Sequence, residues 1–179
     1  MSGNEWVHAS APYVRPRKPG EQDAWSEEAA KKGRRGTQRI VHALQVPAPA
    51  EVAAALGVVE GSAVIERRRT IYLDGEATEL TNTYYPMAIA GGTRLAEPTK
   101  IPGGAVSLLA ELGYIARIVR EDVRARMPEE SERTMLALAP GVPVLELIRR
   151  TADASAPFQV DVSVFPATIQ RLRYEMKVG

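Results

Sequence analysis

Polar and apolar positions alternate along Glu76–Tyr85 and again along Phe158–Phe165, where Leu80, Val160, Val162 and Val164 are interleaved with polar side chains. That period of two predicts half-buried strands. Thr37–Val46 and Ala63–Leu73, rich in β-branched and apolar residues, predict two more strands. Asp74-Gly75 links the strands over Ala63–Leu73 and Glu76–Tyr85, and this dipeptide suits a tight hairpin turn whose two central residues need positive φ. Pro47 and Pro49 introduce a helix over Ala50–Leu56 that Gly57 closes. Pro86 ends the fourth of these segments, and a loop rich in glycine and proline runs on to Gly104. Beyond it the pattern predicts a helix over Ala105–Leu112 stopped by Gly113, a strand over Ile115–Met127 and a helix over Pro128–Leu138. A second hairpin, Val144–Ala152 with Phe158–Phe165, and a final strand over Leu172–Val178 complete the chain.

The order strand, short helix, hairpin occurs twice. A displacement of about 80 residues sets Leu56 on Leu136, Gly61 on Gly141, Val64 on Val144, Glu66 on Glu146 and Arg69 on Arg149. Two such units sharing one largely antiparallel sheet, with helices on one side, give an α+β fold with a pseudo-two-fold internal duplication.

The first 36 residues break the pattern. Tyr13–Gly20 is basic and rich in proline and glycine and predicts an extended arm. Trp25–Lys32 predicts a short helix, with acidic residues in its first turn and lysines in its last. The basic run Lys31–Arg39 reads as a solvated, partly mobile segment or as a phosphate contact. Trp6 and Trp25 call for partial docking. The expected division is an arm over residues 1–36 and a compact domain over 37–179.

Composition narrows the chemistry. The 179 residues contain no cysteine and two histidines, which excludes disulfides and thiolate sites and disfavours a histidine-rich metal centre. A net charge of +1 brings no strong global field for nucleic acid. No apolar run has membrane-spanning length and no signal peptide is recognisable, so a soluble cytoplasmic protein is expected. Nucleotide-binding glycine loops and nucleophile elbows are absent, and no catalytic residue or cofactor is assigned.

Candidate binding residues come from strand parity. Arg67, Arg69 and Ile71 share one face, and Glu66, Arg68 and Thr70 the other. An arginine in mid-strand needs an acceptor, either an acidic neighbour or a ligand carboxylate or phosphate. Glu79, Thr81, Thr83 and Tyr85 correspond in the repeat to Gln159, Asp161, Ser163 and Phe165. These residues form either a solvated sheet face or a polar pocket roofed by the loop Lys100–Gly104. Gly103 and Gly104, before a helix start, offer backbone N–H groups to an anion or simply make a turn. The candidate site is therefore Arg67, Arg69, Thr81, Thr83, Gly103, Gly104, Gln159, Asp161 and Phe165.

ERRRTIYLDGEATELTNTYYP (Glu66–Pro86), EDVRARMPEESERTMLAL (Glu121–Leu138) and GVPVLELIRRTAD (Gly141–Asp153) resemble the UTRA domain, the effector-binding domain of HutC-type GntR transcription regulators. The resemblance runs from about Thr37 to Val178. It implies a chorismate lyase-like fold and a homodimeric small-molecule sensor. In members that bind amino-sugar phosphates, ligand contacts come from two arginines on the first hairpin strand, a serine at a helix start, and a late-strand glutamate and tyrosine. Arg69 matches the first arginine. Ile71 takes the place of the second, Gly104 that of the serine, Gln159 that of the glutamate and Phe165 that of the tyrosine. These departures point to a less charged, more hydrophobic effector than a sugar phosphate.

Regulators of this kind carry a winged helix-turn-helix before the sensor domain, and no recognition helix is legible before Thr37. The expectation is a stand-alone ligand-binding protein, with DNA reached only through a missing or separate DNA-binding domain. Two alternatives remain open: a chorismate lyase-type enzyme acting on a small aromatic acid, and a ligand-free subunit that pairs with a full-length regulator.

Overall fold

Residues 5–18 and 21–176 are described by the computed structural model. The chain begins with β1 (Trp6–His8), a 3₁₀ turn (Ala11–Tyr13) and α1 (Ala24–Lys31). The first repeat follows as β2 (Gly36–Pro47), α2 (Ala50–Leu56), β3 (Ala63–Leu73) and β4 (Glu76–Pro86). A connection carries α3 (Met87–Ala90), a 3₁₀ turn (Arg94–Ala96) and α4 (Gly104–Glu111). The second repeat is β5 (Ile118–Arg126), α5 (Glu130–Met135), β6 (Val144–Ala152) and β7 (Pro157–Pro166), and β8 (Gln170–Leu172) follows.

Six strands form one antiparallel sheet in the order β2-β3-β4-β7-β6-β5. That order reads the same from both edges, once each strand is exchanged for its repeat mate. Register carries the same symmetry. Arg69 lies opposite Thr81, and about 80 residues later Arg149 lies opposite Asp161. At the centre Asn82 faces Val162, so the pseudo-dyad passes through this pair of equivalent residues. Asp74 and Gly75 take φ of 53° and 89°, as the type I′ turn between β3 and β4 requires.

Even-numbered residues of the central strands face α2 and α5. Val64, Tyr84, Ile148 and Val160 pack on Val52, Ala53 and Leu56, and Val144 and Val164 pack on Leu136. The opposite face is covered as well, contrary to the expectation of helices on one side. There Ile65 and Tyr85 pack on Ala90, Leu95, Ile101 and Leu109 from the long connection. Beside them Ile71 and Leu73 pack on Trp6, Trp25 and Ala29. The sheet is thus the middle of three layers.

The N-terminal segment is docked rather than solvated over its described part. Trp6 and Trp25 are buried and meet edge to face at 4.9 Å, Lys32 lies over the Trp6 ring, and Trp25 Nε1 donates to the Tyr72 carbonyl. Parallel pairing of β1 with β8 ties the segment to the far end of the chain. The expected arm Tyr13–Gly20 reaches into Pro19 and Gly20, which lie outside the described residues, as do Met1–Asn4. The final strand is shorter and earlier than expected, and the Lys177–Gly179 end of the sequence also lies outside the described residues. Helix α5 is shorter than the expected Pro128–Leu138. A capping box of Glu129 and Glu132 starts it, and Ala137, at φ 49°, stops it.

Candidate functional site

Odd-numbered residues of β3, β4, β6 and β7 point away from α2 and α5, and some of them line a cavity of about 150 Å³. The floor includes Arg69, Thr81, Arg149, Gln159, Asp161 and Ser163. The roof comes from the N-terminal segment, through His8, Tyr13, Arg15 and Arg17, and from Gly103 and Gly104 at the start of α4. A wider opening of about 650 Å³ adjoins it between α1, β2 and the loop before α4, and Gln38, Arg69, Gly103 and Gly104 line both.

A hydrogen-bonded row crosses the floor at the dyad. Thr81 Oγ1 and Ser163 Oγ lie 2.8 Å apart, and their symmetry mates pair as Thr83 Oγ1 donating to Asp161 Oδ1 at 2.6 Å. Gln159 Nε2 donates to the other Asp161 oxygen at 2.7 Å. Arg69 closes the row, donating to Thr83 Oγ1 at 3.1 Å and Gln38 Oε1 at 3.4 Å. Glu79 accepts from the Thr81 hydroxyl.

The expected site residues separate into three groups. Arg69, Thr81, Gly103, Gly104, Gln159 and Asp161 line the inner cavity. Thr83 is buried and supports Asp161 and Arg69 from behind. Arg67 and Phe165 are committed elsewhere. The Arg67 guanidinium is buried, donates to the carbonyls of Arg94, Leu95, Glu97 and Thr99, and borders only the wider opening. Phe165 lies behind His8, ring centroids 5.5 Å apart, so the histidine occupies the space between it and the cavity.

Arg149 sits at the place in the second repeat that Arg69 holds in the first. It is buried, its Nε donates to Glu121 Oε1 at 2.5 Å and its Nη2 to Ser10 Oγ at 2.8 Å. Burial alone pushes Glu121 up and Arg149 down. The opposite charges win: Glu121 ends below the ordinary carboxylate value and Arg149, beside Asp161 and Glu121, above the ordinary guanidinium value. The pair is ionised and internally satisfied.

The N-terminal part of the roof was not assigned to the site from the sequence, whereas Gly103 and Gly104 were. Tyr13 stacks on His8 at 4.8 Å and donates to Glu28 Oε2 at 2.5 Å, and burial followed by that bond raises its phenol above its usual range. Arg17 pairs with Glu27, and its backbone N–H donates to Ser107 Oγ on α4 at 3.0 Å. His8 is 5% exposed with Nε2 unpartnered, and burial lowers its pKa, which leaves a neutral imidazole. The two tryptophans were the signal for docking. Nothing local in the sequence marks which residues of the segment reach the cavity. Among the described residues no group of three or more histidines and carboxylates is placed to hold a metal, and no helix is long and apolar enough to cross a membrane.

The UTRA domain family model matches residues 31–171. This chain belongs to the UTRA family. The UTRA chain is 32% identical over 166 residues to an uncharacterized HTH-type transcriptional regulator of Streptomyces coelicolor, covering 89% of this chain and 61% of that protein. It is 33% identical over 142 residues to another from Rhizobium meliloti, covering 78% and 57%. The chain thus spans about three-fifths of the length of the curated relatives it matches. A crystal structure of a GntR-family transcriptional regulator superposes with TM-score 0.82 at 25% identity, over 98% of this chain and 71% of that one. The effector domain of PhnF from Mycobacterium smegmatis superposes with TM-score 0.73 at 18% identity, over 92% and 99%, a likeness of fold. The UTRA fold seen here is the chorismate lyase-like one of GntR-type effector domains.

Proposed function

We propose that this UTRA domain senses a small molecule in the cavity between its two hairpins and its N-terminal segment, as part of transcriptional regulation. The observation that carries the reading is Arg69. It lines the cavity, and its hydrogen-bond partners, Gln38 and Thr83, are neutral. A cation half-shielded from water with neutral partners is poised for a ligand carboxylate or carbonyl. Glu79, Asp161 and Arg149 share the cavity walls with Arg69, so the effector meets charged groups of both signs. Sequence-specific DNA recognition is assigned to a separate DNA-reading unit, because the described elements offer no recognition helix in a helix-turn-helix setting.

Homodimerisation belongs to the same proposal. The outer edge of β5 is unpaired in the sheet order, and Ile118, Val119 and Val123 are exposed on that strand. An apolar strand edge calls for cover.

The experiment is a thermal-shift screen against cellular metabolites, followed by calorimetry of each hit on the parent and on Arg69→Ala. A ligand that binds only the folded state raises the melting temperature. Arg69→Ala is expected to weaken binding by about 1.5–3 kcal/mol, the scale of a charge-assisted hydrogen bond. Unchanged affinity in Arg69→Ala would remove Arg69 as the anchor. A screen in which no metabolite shifts the melt would sink the sensing reading.

A further inference from the structure

We infer that the cavity takes a small α-amino acid, its carboxylate held by Arg69 and its ammonium by Glu79, with His8 as a third contact. The inference rests on the sensing reading above and names the ligand class.

Charge bookkeeping inside the cavity leads there. Arg149 is neutralised by Glu121, and Arg17 by Glu27. Both Asp161 oxygens are taken by Thr83 and Gln159. Arg15 lines the same cavity but is exposed to solvent. Asp23 pairs with Lys100 at 3.8 Å. Asp161 keeps its charge but has both oxygens occupied, so the cation and the carboxylate that retain hydrogen-bonding capacity inside are Arg69 and Glu79, which accepts from the Thr81 hydroxyl. The two do not pair with each other or with any other charged group among the described residues.

Register places them for one dipolar ligand. Arg69 is opposite Thr81 and Ile71 is opposite Glu79, so Arg69 and Glu79 are diagonal neighbours on one face of a hairpin. Diagonal positions lie about 7–8 Å apart at Cα. Two long side chains leaving such positions have the reach to hold the two ends of one small dipolar molecule. A carboxylate alone would leave Glu79 facing added negative charge, and an amine alone would do the converse to Arg69. A zwitterion satisfies both without adding net charge to a partly dry site.

His8 is the independent observation. Its Nε2 is buried, unpartnered and part of a residue that lines the cavity. A buried polar atom without a partner costs free energy, and an ammonium has three donors to distribute. Glu79 takes one and the neutral imidazole a second. Size agrees, because a cavity of about 150 Å³ accommodates a molecule near the size of benzene. A longer side chain has its exit through the adjoining opening past Gln38 and Gly103.

The test uses matched probes on the full chain: each L-amino acid beside its decarboxylated amine and its deaminated acid, with glycine betaine as an ammonium that has no N–H. One or a few amino acids should raise the melting temperature, while their amines, their acids and betaine do not. Glu79→Gln and Arg69→Gln should each weaken the bound amino acid at least about tenfold, the loss of one charge-assisted contact, with unliganded melting close to the parent. Glu79→Asp, which keeps the charge, should recover part of the affinity and stands in if Glu79→Gln folds poorly. The inference is overturned if no amino acid shifts the melt, or if Glu79→Gln binds the hit as the parent does. A simple carboxylate that binds through Arg69 regardless of Glu79 would overturn it while leaving the sensing reading intact.

Discussion

Replacing Arg67 by methionine should destabilise the fold far more than replacing its neighbour Arg68 by alanine. The two are adjacent in sequence and face opposite sides of β3. Arg67 is 4% exposed and its guanidinium donates to four carbonyls between Arg94 and Thr99. Those residues lie in the connection between α3 and α4, which continues through Ile101 to the cavity-lining Gly103 and Gly104. Methionine fills much of the volume and removes every donor. Bonds to a charged group contribute about 1.5–3 kcal/mol each and do not add, and some freed carbonyls gain water, so the expected loss is about 3 kcal/mol. For a chain of this size, 1 kcal/mol moves the melting temperature by about 2–4 °C, so Arg67→Met should melt about 6–12 °C below the parent. Arg68 is exposed and its guanidinium Nε donates to Asn82 Oδ1, so Arg68→Ala should stay within about 0.5 kcal/mol. Urea melts give the free energies and scanning calorimetry the temperatures. Equal melting of Arg67→Met and the parent would show that the carbonyl cluster is not held by this side chain.

Stability should fall on acidification through the carboxylates that arginine pairs hold down. The Arg126 guanidinium grips both Glu132 oxygens at 2.7 Å and lowers the Glu132 pKa, so this contribution is full above the ordinary carboxylate value near 4.5 and lost as pH drops through the depressed value. Urea melts of Glu132→Gln should therefore show a shallower decline below that pH than the parent, and an identical slope would remove the pair from the account. Gly36→Ala should loosen α1, because a Cβ there would come within 2.7 Å of Trp25 Nε1 and 2.9 Å of the Ala29 Cβ; earlier proteolysis near α1 and red-shifted tryptophan emission are the readouts. Light scattering at micromolar concentration should give a dimer mass, and a monomer would reject the β5-edge interface. Duplex DNA should bind weakly and without sequence preference, with an affinity that falls steeply with salt; a footprint on a defined operator at physiological salt would contradict this.

The hairpins and the duplication were legible because their signals are local or periodic. Asp74-Gly75 specifies its turn within two residues, and Glu66 and Glu146 recur at one spacing in strands of the same parity. Parity also sorted Arg69, Gln159 and Asp161 to the face that carries the cavity. It has no power to separate Arg67 from Arg69, two residues apart on that face. Their difference lies about 30 residues away, in a loop that crosses the sheet above Arg67 and leaves Arg69 uncovered. Phe165 has the correct parity too, but His8, from the other end of the chain, covers it. The basic run Lys31–Arg39 suggested a solvated arm, while the docking depends on long-range partners such as the Tyr72 carbonyl and the Trp6 ring beneath Lys32.

Divergence between the two repeats at a few positions accounts for one arginine available to the proposed ligand where the symmetry would place two. The pseudo-dyad puts Arg69 and Arg149 on the same face of the sheet at equivalent registers. Opposite Arg149, across the β5–β6 ladder, stands Glu121; opposite Arg69, across β2–β3, stands Ile40. One carboxylate thus converts the second arginine into a closed structural pair, and its absence leaves the first available. The anionic position is exchanged in the same way. Glu79 corresponds to Gln159, and Thr81 to Asp161, so each half contributes one floor carboxylate at a different register. The Asp161 carboxylate is consumed by Thr83 and Gln159, whereas Glu79 keeps acceptor capacity beside the roof. Adding the missing carboxylate across from Arg69, as Ile40→Glu, should close the first arginine as Glu121 closes the second. Ligand binding should then be lost while the unliganded protein melts no more than a few degrees away from the parent. Retained binding in Ile40→Glu would show that the difference between the halves does not reside in the partner opposite the arginine.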